Sequence, residues 1–536
     1  MLTKKEQRLY RSSLFRHLDG LATVPTLSVL SGKGVLAHLL KSKKVEIGQL
    51  SRYFNANEGY LNVALRLLCS QGWLNQEIDN SKGVVFYYTN DRSAYAFDLV
   101  PRFLEVYDFL KKLEEFNVKN IDPGVLVNMD KLFNSLILDF DIPEISDECL
   151  GEVRHQVLMH IEGALVGPVI VMLGMGGMFH QYFMEASFRA GEYHEDAENF
   201  EIILDFLTHL KWFIKKNNTY EFTPKGLFFA KRASAYGVTV SYLPTFRKLE
   251  ELIFRDPLVL KTPSGEREKH VDREMNVWGS GGAHSAYFKK VDEIIIDLFN
   301  RPIGEQPKGV LDMGCGNGAF LIHIFDVIEK RTYRGKVLDE YPLLLVGADY
   351  NDSALKVTRA NLVKSDIWAK VVWGDIGKPE LLAENLREDY GIDISELLNV
   401  RTFLDHNRIW TPPEKRTDRV SKSTGAFAFE GRRLGNNEVE DNLLEHFKKW
   451  LPFIHKFGLL VIELHTIDPV LTSANLGRIP TTAYDATHGY SDQYILEADV
   501  FLQIASEAGL KTDERLKAKF PDSDLATITV NLLKGK

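Results

Sequence analysis

The C-terminal half of the chain alternates short apolar runs with amphipathic stretches. Apolar runs lie at residues 309–313, 343–348, 369–373 and 458–464, and several are followed by a glycine or a charged residue. Segments with helical periodicity lie between them, and strands that alternate with helices are typical of a parallel α/β sheet. The final run, residues 525–533, alternates apolar and polar positions and predicts a last strand. We therefore predict an α/β fold for this half.

The N-terminal half is mainly helical and contains an internal repeat. Residues 15–36 recur in altered form at residues 158–179. Four pairs match at one constant offset: His17 and His160, Gly20 and Gly163, Pro25 and Pro168, and Gly34 and Gly177. Further along, each copy has an aromatic run that ends in Thr, which predicts a two-stranded hairpin. We interpret residues 1–145 and 146–262 as two winged-helix-like repeats.

Composition limits the partners and the compartment. The chain has 536 residues, enough for two or three domains, and a formal net charge of −9, so it lacks a broad basic surface and we expect no nucleic-acid partner. Its three cysteines are far apart in sequence, which favours a cytoplasmic protein over a disulfide framework. The most apolar stretch, residues 164–179, is short for a membrane span and is interrupted by glycine and proline, so we expect no membrane segment.

Residues 309–320 form the most informative segment of the chain. An apolar strand carries Asp312, and Gly314, Gly316 and Gly318 follow at every second position before an amphipathic helix begins. Glycines allow a tight turn and a close approach of the backbone to a ligand, and the helix N-terminus offers unpaired N–H groups. The G-x-G-x-G spacing resembles motif I of class I S-adenosylmethionine (SAM) methyltransferases, which have a Rossmann-like α/β fold.

Two further acidic residues end the next two predicted strands. Asp349 ends the second strand, where a carboxylate can accept hydrogen bonds from both ribose hydroxyls of an adenosine. The alternative is that Asp349 caps the next helix. Asp375 and Ile376 follow the third strand. In the class that motif I resembles, this Asp accepts from the adenine amino group and the next apolar side chain packs against the ring. Three acids in this order indicate a SAM-binding fold.

A polar, turn-rich stretch at residues 262–268 predicts the start of a SAM-dependent methyltransferase domain over residues 263–536. We expect the glycine cluster at residues 279–282 to exclude a helix interior. His284 and Tyr287 then start the helix that precedes motif I. Because this helix abuts the methionine end of SAM in methyltransferases, Tyr287 is a candidate cofactor contact, with capping and packing as the alternative.

Polar residues cluster behind the fourth and fifth predicted strands, at the edge where parallel sheets bind their reactants. Residues 401–408 follow the fourth strand (395–400), and residues 488–494 precede a later helix. Their His and oxygen-donor side chains allow three interpretations: a divalent metal site, a metal-free His base, or hydrogen-bonded loop anchors. A metal would stabilise an enolate as a Lewis acid. The candidates are Arg401 for cofactor binding, and Asp405, His406 and His488 for catalysis.

A family is recognisable in residues 270–536. Motif I, the glycine cluster before it and the two polar segments together resemble the C-methyltransferases of polyketide synthase loading modules, of the apratoxin-pathway kind, and their free-standing relatives. The resemblance implies C-methylation of a malonyl-type acyl group on an acyl carrier protein, with SAM as the donor. Some members hold a mononuclear metal, iron or manganese, with a His and a Gln. The matching residues here are His465 and Gln493, with His488 as the alternative His.

The expected mechanism follows from this chemistry. SAM supplies an electrophilic methyl group, so the enzyme must align donor and acceptor and generate the nucleophile. A metal or a donor such as His406 would stabilise the enolate of the acyl thioester, and Asp405, His465 or His488 would remove or relay the α-proton. The alternative enzyme is an O-methyltransferase that acts on a hydroxylated small molecule with a His general base. A degenerate SAM domain that acts as a scaffold is the alternative outside enzymes.

The role of the N-terminal repeats stays open at this point. Many small-molecule methyltransferases carry such a unit as a dimer interface or as a lid over the substrate. The protein is therefore a possible homodimer, and a docking surface for a carrier or a scaffold without a site are the other interpretations.

Overall fold

The computed structural model describes residues 2–113, 123–262, 268–281 and 284–536, and it confirms a helical half followed by an α/β half. The predicted boundary at residues 262–268 lies largely outside the described residues. The helices of the N-terminal half are α1 (Lys4–Gly32), α2 (Val35–Ser42), α3 (Ile47–Phe54), α4 (Glu58–Ser70), α5 (Ser93–Leu99), α6 (Pro101–Lys112), α7 (Pro123–Ile137), α8 (Glu148–Met175), α9 (Met178–Tyr182), α10 (Ala190–Tyr193), α11 (Ala197–His209), α12 (Pro224–Ala230), α13 (Ser234–Ser241), α14 (Leu243–Arg247) and α15 (Leu249–Phe254). Its strands are β1 (Lys44–Glu46), β2 (Leu74–Asp79), β3 (Val84–Thr89), β4 (Phe213–Lys216) and β5 (Thr219–Phe222).

The long helices α1 and α8 pack against each other and display the internal repeat. A Cβ atom built on Gly20 would collide with the backbone of His160, and one built on Gly163 would collide with the backbone of His17. The glycine of each copy therefore packs against the histidine of the other copy, and each glycine lets the partner helix approach at backbone distance. Reciprocal contacts of this kind are what an approximate two-fold relation between the copies requires.

Both copies turn in the same way after the long helix. Gly34 (φ +77°) and Gly177 (φ +81°) occupy the left-handed region at the N-caps of α2 and α9. Helix α4 then leads into the antiparallel pair β2–β3, and helix α11 leads into the antiparallel pair β4–β5. The prediction of two helical units that each lead into a hairpin is confirmed. The first hairpin differs from the prediction in that β1 pairs with β3 and adds a third strand.

Replacing Gly20 by Val should destabilise the protein by about 1–3 kcal/mol, because the branched side chain would push α1 away from the backbone of α8. The midpoint of urea denaturation, followed by circular dichroism, measures this. Gly32→Ala is the matched control, since it lies in the same helix and a Cβ there meets nothing within 4 Å. Equal midpoints for the two variants would contradict the close crossing.

Helix α8 is long and apolar enough to cross a membrane by length and composition alone. Its most apolar window is 78% buried inside the protein, and its main packing partner is helix α1. The apolar stretch at residues 164–179 thus belongs largely to a helix of the core.

The C-terminal half is built on a seven-stranded sheet. Its strands are β6 (Gly309–Met313), β7 (Leu344–Asp349), β8 (Lys370–Trp373), β9 (Leu397–Thr402), β12 (Leu459–Leu464), β13 (Leu510–Phe520) and β14 (Ile528–Gly535), and a separate hairpin is formed by β10 (Phe427–Phe429) and β11 (Arg432–Leu434). The helices are α16 (Arg273–Gly281), α17 (His284–Phe299), α18 (Ala319–Arg331), α19 (Asp352–Lys364), α20 (Pro379–Tyr390), α21 (Asn436–Ile454), α22 (Pro469–Ser473), α23 (Thr481–Gly489) and α24 (Ala498–Glu507).

The order of the strands in this sheet is β13-β14-β12-β9-β6-β7-β8. The five strands from β12 to β8 in this order are all parallel to one another. Strand β14 is antiparallel to both of its neighbours, β12 and β13. Apolar side chains cover both faces of the sheet. The chain order reverses between β6 and β9, so the carboxyl ends of the parallel strands meet at a topological switch point, where α/β proteins bind ligands.

Helix α16 contradicts the expectation that the glycine cluster excludes a helix, because Gly279 lies inside it. The reason is packing against α13: a Cβ atom on Gly279 would lie 2.5 Å from the backbone nitrogen of Val238, and one on Gly237 would lie 2.7 Å from the Cα of Gly279. Close approach of the two helices therefore outweighs the poor helix propensity of glycine. Helix α17 begins at His284, as expected.

Candidate active site

The turn after β6 depends on its three glycines. Gly314, Gly316 and Gly318 have φ values of +81°, +55° and +79°, a region that glycine adopts without strain. The carboxylate of Asp349, at the end of β7, accepts the backbone N–H of Gly316 and that of Asn351, both at 2.9 Å. The second predicted acid therefore lies directly against the glycine turn.

Asp312 is a buried carboxyl group on β6 with an unused oxygen. Its Oδ2 has no hydrogen-bond partner within the part of the chain that the structure describes. Burial, with a smaller contribution from the charge of Asp349, raises the pKa of Asp312 to about 8. A ligand that brings an N–H group or a positive charge would supply the missing partner.

Asp375 and Ile376 continue this row after β8. Asp375 accepts the backbone N–H of Gly377 at 2.8 Å and lies 3.6 Å from the ammonium of Lys378. Ile376 is buried in the apolar layer on one face of the sheet, and its carbonyl accepts from the indole N–H of Trp450 at 2.8 Å. Because β6, β7 and β8 are neighbours, the three acids lie on adjacent strands at one edge.

Tyr287 lies in an aromatic cluster near the start of α17. The rings of Phe403 and Phe520 pack edge-on against it, with centroid distances of 6.1 and 5.2 Å. Burial raises the pKa of Tyr287 to about 12. Phe403 directly follows β9, so the tyrosine lies close to the carboxyl edge of the sheet and keeps its status as a candidate cofactor contact.

Arg401 and Asp405 form a fully buried ion pair. The guanidinium donates to the carboxylate at 2.6 Å and stacks 4.0 Å above the ring of Trp450, and Nε2 of His446 lies 2.9 Å from the same carboxylate. Burial alone would raise the pKa of Asp405, but the charge of Arg401 and the hydrogen bond from His446 outweigh it and hold that pKa well below its usual range. Asp405 is thus an ionised anchor. Nε and Nη2 of Arg401 have no hydrogen-bond partner among the described residues, so Arg401 stays a candidate for cofactor binding.

His406 is oriented by a buried carboxylate. Its Nδ1 lies 2.5 Å from Oε1 of Glu463, which stands on β12. The same carboxylate accepts the backbone N–H of Leu464 at 2.7 Å and that of Asp405 at 3.0 Å. When Glu463 is ionised and His406 is neutral, Nδ1 of His406 donates to the carboxylate and Nε2 carries the lone pair.

His488 lies beside His406, and Gln493 directly precedes Tyr494, whose backbone N–H donates to the carbonyl of His406. The rings of the two histidines meet edge-on with centroids 5.0 Å apart, and the amide of Gln493 donates to the hydroxyl of Tyr242 at 3.3 Å. Nδ1 of His488 donates to the carbonyl of Tyr484 at 2.8 Å. Burial lowers the pKa of His488 to about 3, so this imidazole is neutral at physiological pH.

His465 does not fit the metal site predicted for it together with Gln493. Its Nδ1 lies 3.1 Å from the carbonyl of Leu496 and its Nε2 lies 2.8 Å from the hydroxyl of Thr529, so both ring nitrogens are engaged. Burial lowers its pKa to about 4, which keeps it neutral. Among the described residues, no group of three or more His, Cys, Asp or Glu side chains is placed to hold a metal ion.

Three family models match successive parts of the chain. They describe an AprA N-terminal domain (residues 10–76), an AprA winged helix domain (residues 162–256) and an AprA MT2-like domain (residues 268–531). The last model spans the sheet, the glycine turn and the His406 region. The chain is a SAM-dependent methyltransferase of the AprA type.

Several solved structures are similar to this methyltransferase. An O-methyltransferase family protein from Burkholderia thailandensis is 11% identical, over 69% of this chain and 95% of its own, with a TM-score of 0.40. The mitomycin 7-O-methyltransferase MmcR is 10% identical, over 72% and 99%, with a TM-score of 0.40. The CurJ carbon methyltransferase is 11% identical, over 86% and 100%, with a TM-score of 0.33. No curated protein matches the chain. These values are too low to indicate an acceptor.

The residues at the carboxyl edge of the methyltransferase fit SAM. The glycine turn lets a ligand approach the backbone between β6 and α18, and Asp349 offers a carboxylate beside it. The unused oxygen of Asp312 lies on the same strand as the turn. These features supply acceptors for the polar groups of an adenosyl ligand.

Replacing Asp349 by Asn should weaken SAM binding about 10–100-fold, because a charged acceptor is worth about 1.5–3 kcal/mol. Isothermal titration calorimetry with SAM measures this. Asp352→Asn is the matched control: it lies three residues further along, is exposed and starts α19. An unchanged affinity in the Asp349 variant would remove the ribose assignment.

Two residues of the site were not predicted from the sequence. Glu463 is a carboxylate inside the otherwise apolar run of β12. A charged residue within a buried strand needs a polar partner, and this was the sequence signal that could have identified it. Tyr242 comes from the second repeat, far from Gln493 in sequence, and no local pattern marks it.

Proposed function

We propose that this methyltransferase transfers a methyl group from SAM to the α-carbon of a malonyl-type acyl group held on an acyl carrier protein, with His406 as the general base. The observation that carries the proposal is the His406–Glu463 pair, which engages Nδ1 and leaves Nε2 without a hydrogen-bond partner among the described residues, at the carboxyl edge of the sheet. The match to an AprA MT2-like domain supports it.

His406 is better suited to accept the proton than the other candidates. Glu463 would stabilise the imidazolium that forms, as the acidic member of a triad does. His488, whose pKa burial lowers to about 3, is a weak base, and Asp405 is committed to Arg401 and His446. A positioned base of this kind contributes about 10²–10⁴-fold to the rate. When bound, SAM supplies the electrophilic methyl group.

No step of this proposal passes through a metal ion. His465, the predicted His ligand, uses both ring nitrogens for protein contacts, and the proton acceptor we assign is Nε2 of His406. Asp405 and Arg401 are positioning groups in this scheme, since the backbone N–H of Asp405 donates to the carboxylate that orients the base.

Mass spectrometry of malonyl-loaded acyl carrier protein, incubated with the methyltransferase and SAM, tests the proposal. The expected result is a gain of one or more methyl masses on the acyl arm, unchanged by EDTA and by added iron or manganese. A gain that requires metal would overturn the metal-free base. No gain under any condition, while SAM still binds, would remove the malonyl acceptor.

O-methylation of a hydroxylated small molecule is the second candidate function. The observation that favours it is again the lone pair of His406, because an imidazole oriented by a carboxylate would equally accept the proton of a hydroxyl group. Transfer of labelled methyl to a panel of phenols, with the malonyl-loaded carrier unmodified, is the result that would favour it.

A further inference from the structure

The segment of residues 481–494, here termed the α23 segment, runs between the two halves of the protein. It begins with helix α23 and ends in the turn that carries Gln493 and Tyr494. The backbone N–H of Tyr494 donates to the carbonyl of His406 at 2.8 Å, which ties the segment to the loop of the proposed base.

Neighbouring sides of helix α23 have different partners. Thr482, Asp485 and Gly489 share one face at spacings of three and seven residues, and this face meets α4 of the N-terminal half. A Cβ atom on Gly489 would lie 2.8 Å from the side chain of Val63. His488 lies at the side of this face, next to His406.

Arg66 of α4 makes the largest set of contacts with this region. Its buried guanidinium pairs with the carboxylate of Asp485, one turn before His488. It also donates to the hydroxyl of Thr466 at 3.0 Å and to the carbonyls of Ile467 and Thr424 at 2.9 and 2.8 Å. Thr466 in turn donates to Asp485 at 2.6 Å. Arg66 thus joins α23 to the loop after β12, the strand that carries the carboxylate partner of His406.

Other side chains of the N-terminal half hold the same segment along its length. The contacts are Asp19 with the backbone N–H of Ala483 (3.3 Å), Gln71 with Thr482 (2.8 Å), Thr26 with Tyr490 (3.2 Å), Tyr60 with Asp492 (2.9 Å) and Tyr242 with Gln493 (3.3 Å). These partners come from both repeats, and most of the atoms are buried, so any shift of the segment relative to the N-terminal half would break buried hydrogen bonds.

We propose that the N-terminal half is a positioning frame for the active site, and that Arg66 is its central positioning residue: by fixing Asp485 it sets the placement of His488 beside His406 and of Gln493 further along the same segment. This proposal rests on the proposed function in one respect, namely that His406 is the general base. Loss of the Arg66 guanidinium leaves the carboxylate of Asp485 buried without its cation, and α23 must shift to reach water.

Histidine NMR and kinetics of the full chain test this proposal. We expect Arg66→Gln to move the ring ¹³C–¹H signals of His406 and His488, assigned with the H406N and H488N variants. The rate of methyl transfer should fall at least about 10-fold. The Kd for SAM should stay within about twofold, because the hydrogen bonds of Arg66 go to Thr424, Thr466, Ile467 and Asp485 and not to the glycine turn. Asp485→Asn should move the same two signals.

Arg433→Gln is the matched control. Arg433 also joins the two halves through α4, by an ion pair with Glu58 at 2.6 Å, but it lies on β11 and its second hydrogen bond goes to the carbonyl of Gly83. The His406 and His488 signals of this variant should match those of the wild type. Tyr60→Phe is a milder test variant, because it removes a single hydroxyl from the frame. It takes the place of R66Q in the comparison with Arg433→Gln if R66Q does not bind SAM.

Unchanged His406 and His488 signals in R66Q, D485N and Y60F would overturn the frame. Failure of the proposed function would give a different result: the wild-type protein would bind SAM but leave the malonyl-loaded carrier unmodified. In that case the NMR comparison would still test the positioning frame.

Discussion

Replacing His406 by Ala should lower the rate of methyl transfer by about 10²–10⁴-fold, with little change in SAM affinity. The imidazole is the group at the carboxyl edge whose Nε2 lone pair is fixed by a buried acid, and its loss removes the proton acceptor. Single-turnover kinetics with saturating SAM measures the chemical step, and calorimetry checks that SAM still binds.

Glu463→Gln tests how much of the rate depends on the carboxylate partner of His406 while the imidazole itself is kept. The amide can keep a hydrogen bond to Nδ1 but cannot stabilise the imidazolium by charge, so we expect a loss of about 10²-fold or more. His323→Asn is the control, because His323 also pairs with a carboxylate, Asp292 at 2.8 Å, but lies partly exposed on α18. A wild-type rate in the His406→Ala variant would remove His406 from catalysis.

Local patterns were enough to predict the SAM-binding part of the fold. Each of the five parallel strands is a short apolar run followed by a turn, and the glycine turn and the two later acids lie within a few residues of strand ends. The repeat was visible for the same reason, since its matched residues occupy equivalent positions in α1 and α8.

Strand β13 was not predicted because its sequence is dominated by charge. Of its eleven residues only Leu510 and Leu516 are buried, and it lies at the edge of the sheet, where one strand partner and one apolar face suffice. Hydrophobic periodicity, which identified the other strands, is weak in such a segment.

The chemistry of the site could be predicted only in part, because it depends on contacts between distant residues. His406 was a candidate, but its carboxylate partner lies 57 residues away on a different strand, and Arg66 lies 419 residues from Asp485. The ring nitrogens of His465 are occupied by a carbonyl and a hydroxyl from two further segments, which no spacing in the sequence reveals.

SAM affinity should rise with pH between about 6 and 8, by up to about tenfold per unit, and then level off. In the ligand-free protein, burial and the charge of Asp349 raise the pKa of Asp312 to about 8, so its carboxyl group is mostly protonated at pH 6. A cationic ligand favours the carboxylate and therefore expels the proton on binding. Calorimetry in buffers of different ionisation enthalpy should detect up to about one proton released per SAM at about pH 6.5.

Asp312→Asn provides the decisive comparison for this prediction. The amide at position 312 cannot titrate, whereas the amino group of SAM titrates in both proteins. Subtracting the pH dependence of the affinity in the variant from that in the wild type therefore leaves the contribution of Asp312. Asp349→Asn should move the rise in affinity to lower pH, because it removes the neighbouring charge that helps to raise the pKa of Asp312. If Asp312→Asn and the wild type show the same pH dependence, Asp312 does not exchange a proton with the bound cofactor, and its unused oxygen needs another partner.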